Sequence, residues 1–214
     1  MAYELHGWQE GTLLENLVAA GVSRRSFLQY CGTVAALMTV SSAAGAQAAP
    51  TPELIAQKLG ELTKPNVVWL QLQECTGCME STIRAGGTTV EEVVLSLLSV
   101  NYNELVMAAS GASAEQALHD TNAEDHILVV NGSVPMKDGG IYCTIGGKSA
   151  EQVLRESAEK ATAILAVGAC AVYGSVQAAK PNPTGAVGVD EIIKNKPVIN
   201  VAGCPPIGEV ITAT

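Results

Sequence analysis

The sequence contains no run of lysine and arginine, and its net charge is −9, which argues against nucleic acid as a partner. Charged residues make up only 15% against 48% hydrophobic, so the chain is globular rather than disordered. A length of 214 residues is enough for one domain with appendages and a real core. A membrane span is also missing from the N-terminal segment, where the apolar stretch Phe27–Val40, about 14 residues, falls short of the roughly 20 that cross a bilayer. The cysteines, Cys31, Cys75, Cys78, Cys143, Cys170 and Cys204, are too scattered for the framework of a small disulfide-stapled domain. His6, His119 and His126 show no metal-ligand spacing and read as structural or exposed residues.

What is present begins with an address. Arg24 and Arg25 precede the apolar stretch, which ends in small residues at Ala46-Gln47-Ala48. Basic, apolar and A-x-A segments in that order read as an export signal over residues 1–48. Ser23-Arg24-Arg25-Ser26-Phe27-Leu28 resembles the twin-arginine type, with Gln29 where that pattern often has lysine. Proteins on that route fold, and often receive a metal cofactor, before export. Thiols exported bare into an oxidising space tend to pair, whereas thiols already on a metal are protected. The address therefore favours a cofactor, and it places Cys31 in the part removed.

Residues 49–65 read as a lead-in, with a short helix in "TPELIAQKLGELT". Short apolar runs then predict strands at Asn66–Gln71, His126–Asn131, Ala163–Val167 and Pro197–Val201. Amphipathic patterns predict helices at Thr89–Leu98, Ser113–Thr121, Ser149–Lys160 and Val189–Asn195. This alternation predicts an α/β, three-layer, doubly wound domain with a mainly parallel sheet over residues 66–214.

The cysteines fall in a pattern on that frame. Cys75 and Cys78 follow the first predicted strand, Cys170 the third and Cys204 the fourth. In open α/β sheets ligands bind beyond the carboxyl ends of the strands, so three loops bring four thiols to one edge. A buried free cysteine is the ordinary explanation for any one of them, but it does not explain all four. Four thiolates suit a tetrahedral zinc or a cubane iron–sulfur cluster. With one close pair and two single cysteines on separate loops, the spread suits a polynuclear cluster better than one ion. Gly77, Gly168, Gly174 and Gly203 let the backbone come close to such a group, and Pro205-Pro206 stiffens the last loop. A thioredoxin-like pair at Cys75/Cys78 is the main alternative, and it leaves Cys170 and Cys204 unexplained. "IGGKS" lacks the full phosphate-loop spacing, so Lys148 reads as an ordinary residue opening a helix.

The blocks "ECTGC", "VNGSVPMKDGGIYCTIGGKS", "VGACAVYGSVQAAKPNPTGA" and "VAGCPPIGEV" closely resemble the small subunit of exported [NiFe] hydrogenases. The resemblance runs the length of the chain and keeps the family's order. It implies a flavodoxin-like domain holding a proximal [4Fe–4S] cluster on Cys75, Cys78, Cys170 and Cys204, with Cys143 buried and inert. Members with a modified, six-cysteine cluster have extra cysteines at the positions of Gly77 and Ser175, so an ordinary four-cysteine cubane is implied here. Asn131 departs from the family, which commonly has glutamate there. The resemblance further implies a [NiFe] large subunit as partner, no catalytic residue on this chain and a cytochrome or quinone-linked electron acceptor. It places the protein in the periplasm or on the outer face of the cytoplasmic membrane. Glu74 is either a group at the subunit contact or a solvated loop carboxylate. Family members continue into a C-terminal domain carrying medial and distal clusters, for which ligands are absent here. The chain is therefore expected to be a fragment, with a minimal one-cluster relay as the alternative. Two other functions remain open: an electron-transfer subunit of a related quinone reductase, and a zinc- or disulfide-stabilised binding module.

Overall fold

The computed structural model describes residues 64–214. The export-signal reading of residues 1–48, the helix expected over residues 51–63, Cys31 and His6 lie outside the described residues.

Five strands form one parallel sheet: β1 (Asn66–Gln71), β2 (Ser99–Asn103), β3 (His126–Asn131), β4 (Ala161–Val167) and β5 (Val198–Val201), in the spatial order β2-β1-β3-β4-β5. This is the flavodoxin-like order, with the switch point between β1 and β3. The apolar strands put alternate residues into two cores, because successive side chains point to opposite faces. Val68 and Leu70, Leu128 and Val130, and Ile164 and Ala166 enter one core, where α3 (Ala112–Asn122) contributes Leu118 and α4 (Ala150–Ala158) contributes Val153 and Leu154. Val67 and Trp69, Val129, Val167 and Val201 enter the other, under Cys78 and Met79 of α1 (Gly77–Ile83) and Ile211 of α8 (Gly208–Thr212). Helices therefore cover both faces, as the three-layer reading requires.

Between β1 and β2, the helix expected over Thr89–Leu98 is one α-turn, α2 (Val90–Glu92), running into a π-turn at Val93–Leu97. A capping box starts it, with the Thr89 side chain accepting from Glu92 N–H and the Glu92 carboxylate accepting from Thr89 N–H. The strand β2 was absent from the expected set. Its sequence, "SVNYN", has no apolar run, because it lies at the sheet edge and pairs with β1 alone. Three further short helices follow the carboxyl ends of the later strands or link them: α5 (Ala169–Tyr173), α6 (Ser175–Ala178) and α7 (Val189–Ile192). Lys148 does not open a helix. It pairs with Ile145 in a two-residue ladder, Ser149 caps α4, and the Lys148 ammonium meets Glu156 at 2.6 Å.

His126 is buried, with its ring nitrogens 2.9 Å from the carbonyls of Glu124 and Ser157, while His119 is exposed on α3. Both are structural or surface residues, as expected. Asn131 is fully buried at the end of β3. Its Oδ1 accepts from the Trp69 indole at 3.2 Å, and its Nδ2 donates to Gln71 Oε1 at 3.1 Å. A glutamate at this position has no N–H to give Gln71 when ionised, and an ionised carboxylate would be buried without a charge partner here. The amide suits both neighbours, which gives the departure at this position a physical basis.

Candidate functional site

Cys75, Cys78, Cys170 and Cys204 line one small cleft at the carboxyl edge of the sheet, with Glu74, Gly77, Ala169, Gly203 and Pro205. The structure brings together all four thiols singled out from the sequence, and it leaves Cys143 out. Cys143 is half-buried, and burial pushes its thiol above the ordinary range. Cys78 and Cys170 are buried and Cys75 and Cys204 exposed, so the cavity opens outwards through the first and last ligand loops.

Each loop is placed by the strand before it and tied to the other two. After β4, Ala169 N–H donates to Gly203 O at 2.6 Å, joining the Cys170 and Cys204 loops. Ser81 on α1 donates to Pro206 O at 2.6 Å, joining the Cys75/Cys78 segment to the Cys204 loop. Gln177 Nε2 donates to Gln73 O at 3.2 Å, joining the helices after Cys170 back to the β1 loop. Gln73 is itself held by paired backbone hydrogen bonds with Ser133 and by Thr184. The three ties close a ring around the thiols, and none of them is apparent from sequence spacing, because the partners lie far apart in the chain.

At Gly168 the backbone has φ +94°, and a Cβ there would overlap Cys78 Sγ. Only glycine suits that combination of conformation and approach.

The electrostatics point the same way. Burial, then the charges of Glu74 and the other three cysteines, push Cys78 up to about 12. No lysine, arginine or histidine lines the cavity. These surroundings favour Cys78 as a neutral thiol, and only a bound cation would hold it as a thiolate. Among the described residues no three side chains gather around a point that would hold a single ion. The four thiols line one cleft, and four thiolates are a donor set suited to a tetrahedral zinc or to an iron–sulfur cluster. All five cysteines among the described residues are free.

Glu74 lines the cavity with one carboxylate oxygen buried and unpartnered, and burial raises its carboxyl above the ordinary range. It is half-buried, partly withdrawn from solvent on the cleft side. Glu104 was not singled out from the sequence. It is half-buried beside the carboxyl end of β1, with Oε2 accepting from Gln71 N–H at 3.2 Å.

Residues 75–214 match the family described as NADH ubiquinone oxidoreductase, 20 Kd subunit, a span that starts at the first of the four thiols. The chain belongs to this family. Its relatives include the hydrogenase-2 small chain of Escherichia coli (strain K12), 42% identical over 87% of this chain and 49% of the relative. The uptake hydrogenase small subunit of Bradyrhizobium diazoefficiens is 44% identical over 90% of this chain and 52% of the relative. The structure resembles that of the reduced, active form of the Ni-Fe-Se hydrogenase from Desulfomicrobium baculatum, with a TM-score of 0.69 and 31% identity, over 71% of this chain and 60% of that one. The chain spans about half the length of the curated relatives it matches. Over its own length it corresponds to the N-terminal part of [NiFe] hydrogenase small subunits, and the flavodoxin-like expectation from the sequence agrees with the sheet order found.

Proposed function

We propose that this chain is the electron-transfer portion of a [NiFe] hydrogenase small subunit, passing electrons from H₂ oxidation at a large partner subunit towards an external acceptor. The observation that carries the proposal is the cavity lined by four thiols from three loops, found in a chain similar to hydrogenase small chains. Cys75, Cys78, Cys170 and Cys204 would hold a proximal [4Fe–4S] cluster of the four-cysteine type, since Gly77 and Ser175 supply no further thiol. Such a cluster supplies one-electron transfer at a potential set by its ligands and their hydrogen bonds. The chain's own contribution is to hold four sulfurs with three mutually tied loops and to keep Cys78 and Cys170 away from water. No residue of this chain is assigned a catalytic acid, base or nucleophile role.

The outward opening supports a partner at this edge. Tyr173, Val176 and Ile207, on the segments that carry Cys170 and Cys204, are large apolar residues at 68%, 77% and 68% exposure. Exposed thiols beside exposed apolar side chains fit a surface covered by another subunit, here a [NiFe] large subunit. The export-signal reading of residues 1–48 places the assembly in the periplasm or on the outer face of the membrane, with a cytochrome or quinone-linked acceptor.

The test is metal analysis of the chain co-expressed with a [NiFe] large subunit and purified without oxygen. About four irons per chain with a [4Fe–4S] EPR signal on reduction is the expected result. One zinc, or no metal with the thiols paired, would make this a stabilised binding module. The family's description favours a second reading, an electron-transfer subunit of a quinone reductase. That reading predicts the same iron but no H₂ uptake by the complex.

A further inference from the structure

Resting on that assignment, we infer that a groove between α5 and α7 receives a basic side chain, arginine by preference, from the large subunit. Helix α5 contributes Val172 and Tyr173 to its lining, and α7 contributes Asp190 and Glu191. Between them run Ala186 and Val187, paired with Pro135 and Val134, and then Gly188. Val172, Ala186 and Gly188 are buried, so the base of the groove belongs to the packed body of the domain. A Cβ on Gly188 would stand 2.5 Å from Val172 O. The segment leading into α7 therefore lies directly against α5, and the two helices keep a fixed spacing.

Charge and chemistry say what fits there. The lining is apolar apart from two carboxylates, and it holds no lysine, arginine or histidine. Glu191 is met by Lys194 at 3.4 Å, whereas Asp190 has no ion-pair partner among the described residues. Beside these acids Tyr173 is largely exposed. A cation is attracted to an aromatic face, and a guanidinium stacks flat on a ring while donating two N–H groups to a carboxylate. An acidic side chain would be repelled by both carboxylates, and an apolar one would strip water from Asp190 without replacing its hydrogen bonds. Position points to the large subunit as the source. Helix α5 also carries Cys170, and Tyr173 belongs to the exposed apolar set, with Val176 and Ile207, that flanks the thiol cleft. The surface that a large subunit would cover thus runs on into the groove.

The test follows dissociation of the co-expressed complex on dilution, at low and high salt, for wild type and two variants. One combines Asp190→Asn with Glu191→Gln, and the other is Tyr173→Leu. All three side chains are exposed, so the fold is expected to be kept, and equal iron content per chain checks this. Removing the two charges is expected to raise the dissociation constant about tenfold or more and to flatten its rise with salt. Leucine keeps the apolar bulk and loses the ring face, which is expected to weaken the complex by about three- to tenfold. Wild-type affinity in either variant, at equal iron content, would overturn the inference. So would variants that leave the heterodimer intact but break up a larger assembly, since the groove would then hold a second copy of this chain. A wild-type chain that binds no large subunit would instead overturn the assignment on which the inference rests.

Discussion

Gly168→Ala is expected to strip the protein of its iron as completely as Cys170→Ala, although it removes no ligand. The reason lies in two independent demands at one position. The backbone there has φ +94°, and placing a side chain in the left-handed half of the map costs about 1–2 kcal/mol. The new methyl would also overlap Cys78 Sγ, which lies in a well-packed core with Met79, Trp69 and Val167. That sulfur cannot withdraw further into the core, and overpacking of this kind typically costs about 1–3 kcal/mol. The strain is relieved by moving Cys78, the buried member of the first pair, out of register with the other three thiols. The two variants separate on stability. Cys170→Ala leaves the apoprotein near wild type, whereas Gly168→Ala lowers it by roughly 2–4 kcal/mol, the sum of those two terms. Iron per chain, the EPR amplitude after reduction, and urea unfolding of the metal-free chains measure this. Full iron content in Gly168→Ala would show that Cys78 is not held where a ligand must be.

The fold was legible wherever one physical signal dominated. His126–Asn131 and Asn66–Gln71 match β3 and β1, because strands buried on both faces are continuous apolar runs with nothing else to read. At β4 the boundary moved. The expected helix ran to Lys160, but α4 ends at Ala158 and the strand starts at Ala161, since alanine and threonine there favour neither state clearly. At β2 the signal was absent, because an edge strand with a polar face carries no apolar run. The C-terminal turn of the predicted Val189–Asn195 helix is missing too. Helix α7 stops at Ile192, and the Ile192 carbonyl accepts from the Arg155 guanidinium at 3.2 Å.

The thiols were legible for a topological reason. In a parallel α/β sheet every strand-to-helix loop emerges at the same edge, so cysteines placed just after strands must share it. What fixes them there was not legible. The ties Gln73–Gln177, Ala169–Gly203 and Ser81–Pro206 link residues that no local pattern connects, and all three end on a backbone carbonyl whose partner the sequence does not encode. Asn131 is the instructive intermediate case. The sequence showed a departure without a cause, and the cause is a pair of side-chain hydrogen bonds to residues of the neighbouring strand.

Glu104 was invisible for the same reason, and it carries the second large expected effect. Its carboxyl lies beside the end of β1, with one oxygen on Gln71 N–H and the other buried without a partner. Burial pushes it up to about 7 from 4.5. Hydrogen bonds from its own backbone, from Gln71 and from Tyr102 oppose the rise, and the charge of Glu115 on α3 adds to it. The Cys143 thiol feels the same carboxylate, which adds to its upward shift. Because the folded state holds this proton more tightly than the unfolded chain, the stabilisation is complete below about pH 4.5 and is lost as pH rises through about 7. At 1.36 kcal/mol per pKa unit, the loss amounts to up to about 3 kcal/mol. Glu104→Gln keeps an acceptor for Gln71 N–H and removes the ionisation. It is expected to match wild type near pH 4.5 and to exceed it by up to about 3 kcal/mol at pH 8. Glu74 is also raised by burial and contributes a slope of the same sign. The decisive quantity is therefore the difference between the two proteins in urea unfolding across that range. Parallel stability curves for wild type and Glu104→Gln would mean that the Glu104 carboxyl is solvated in solution and ionises in the ordinary range.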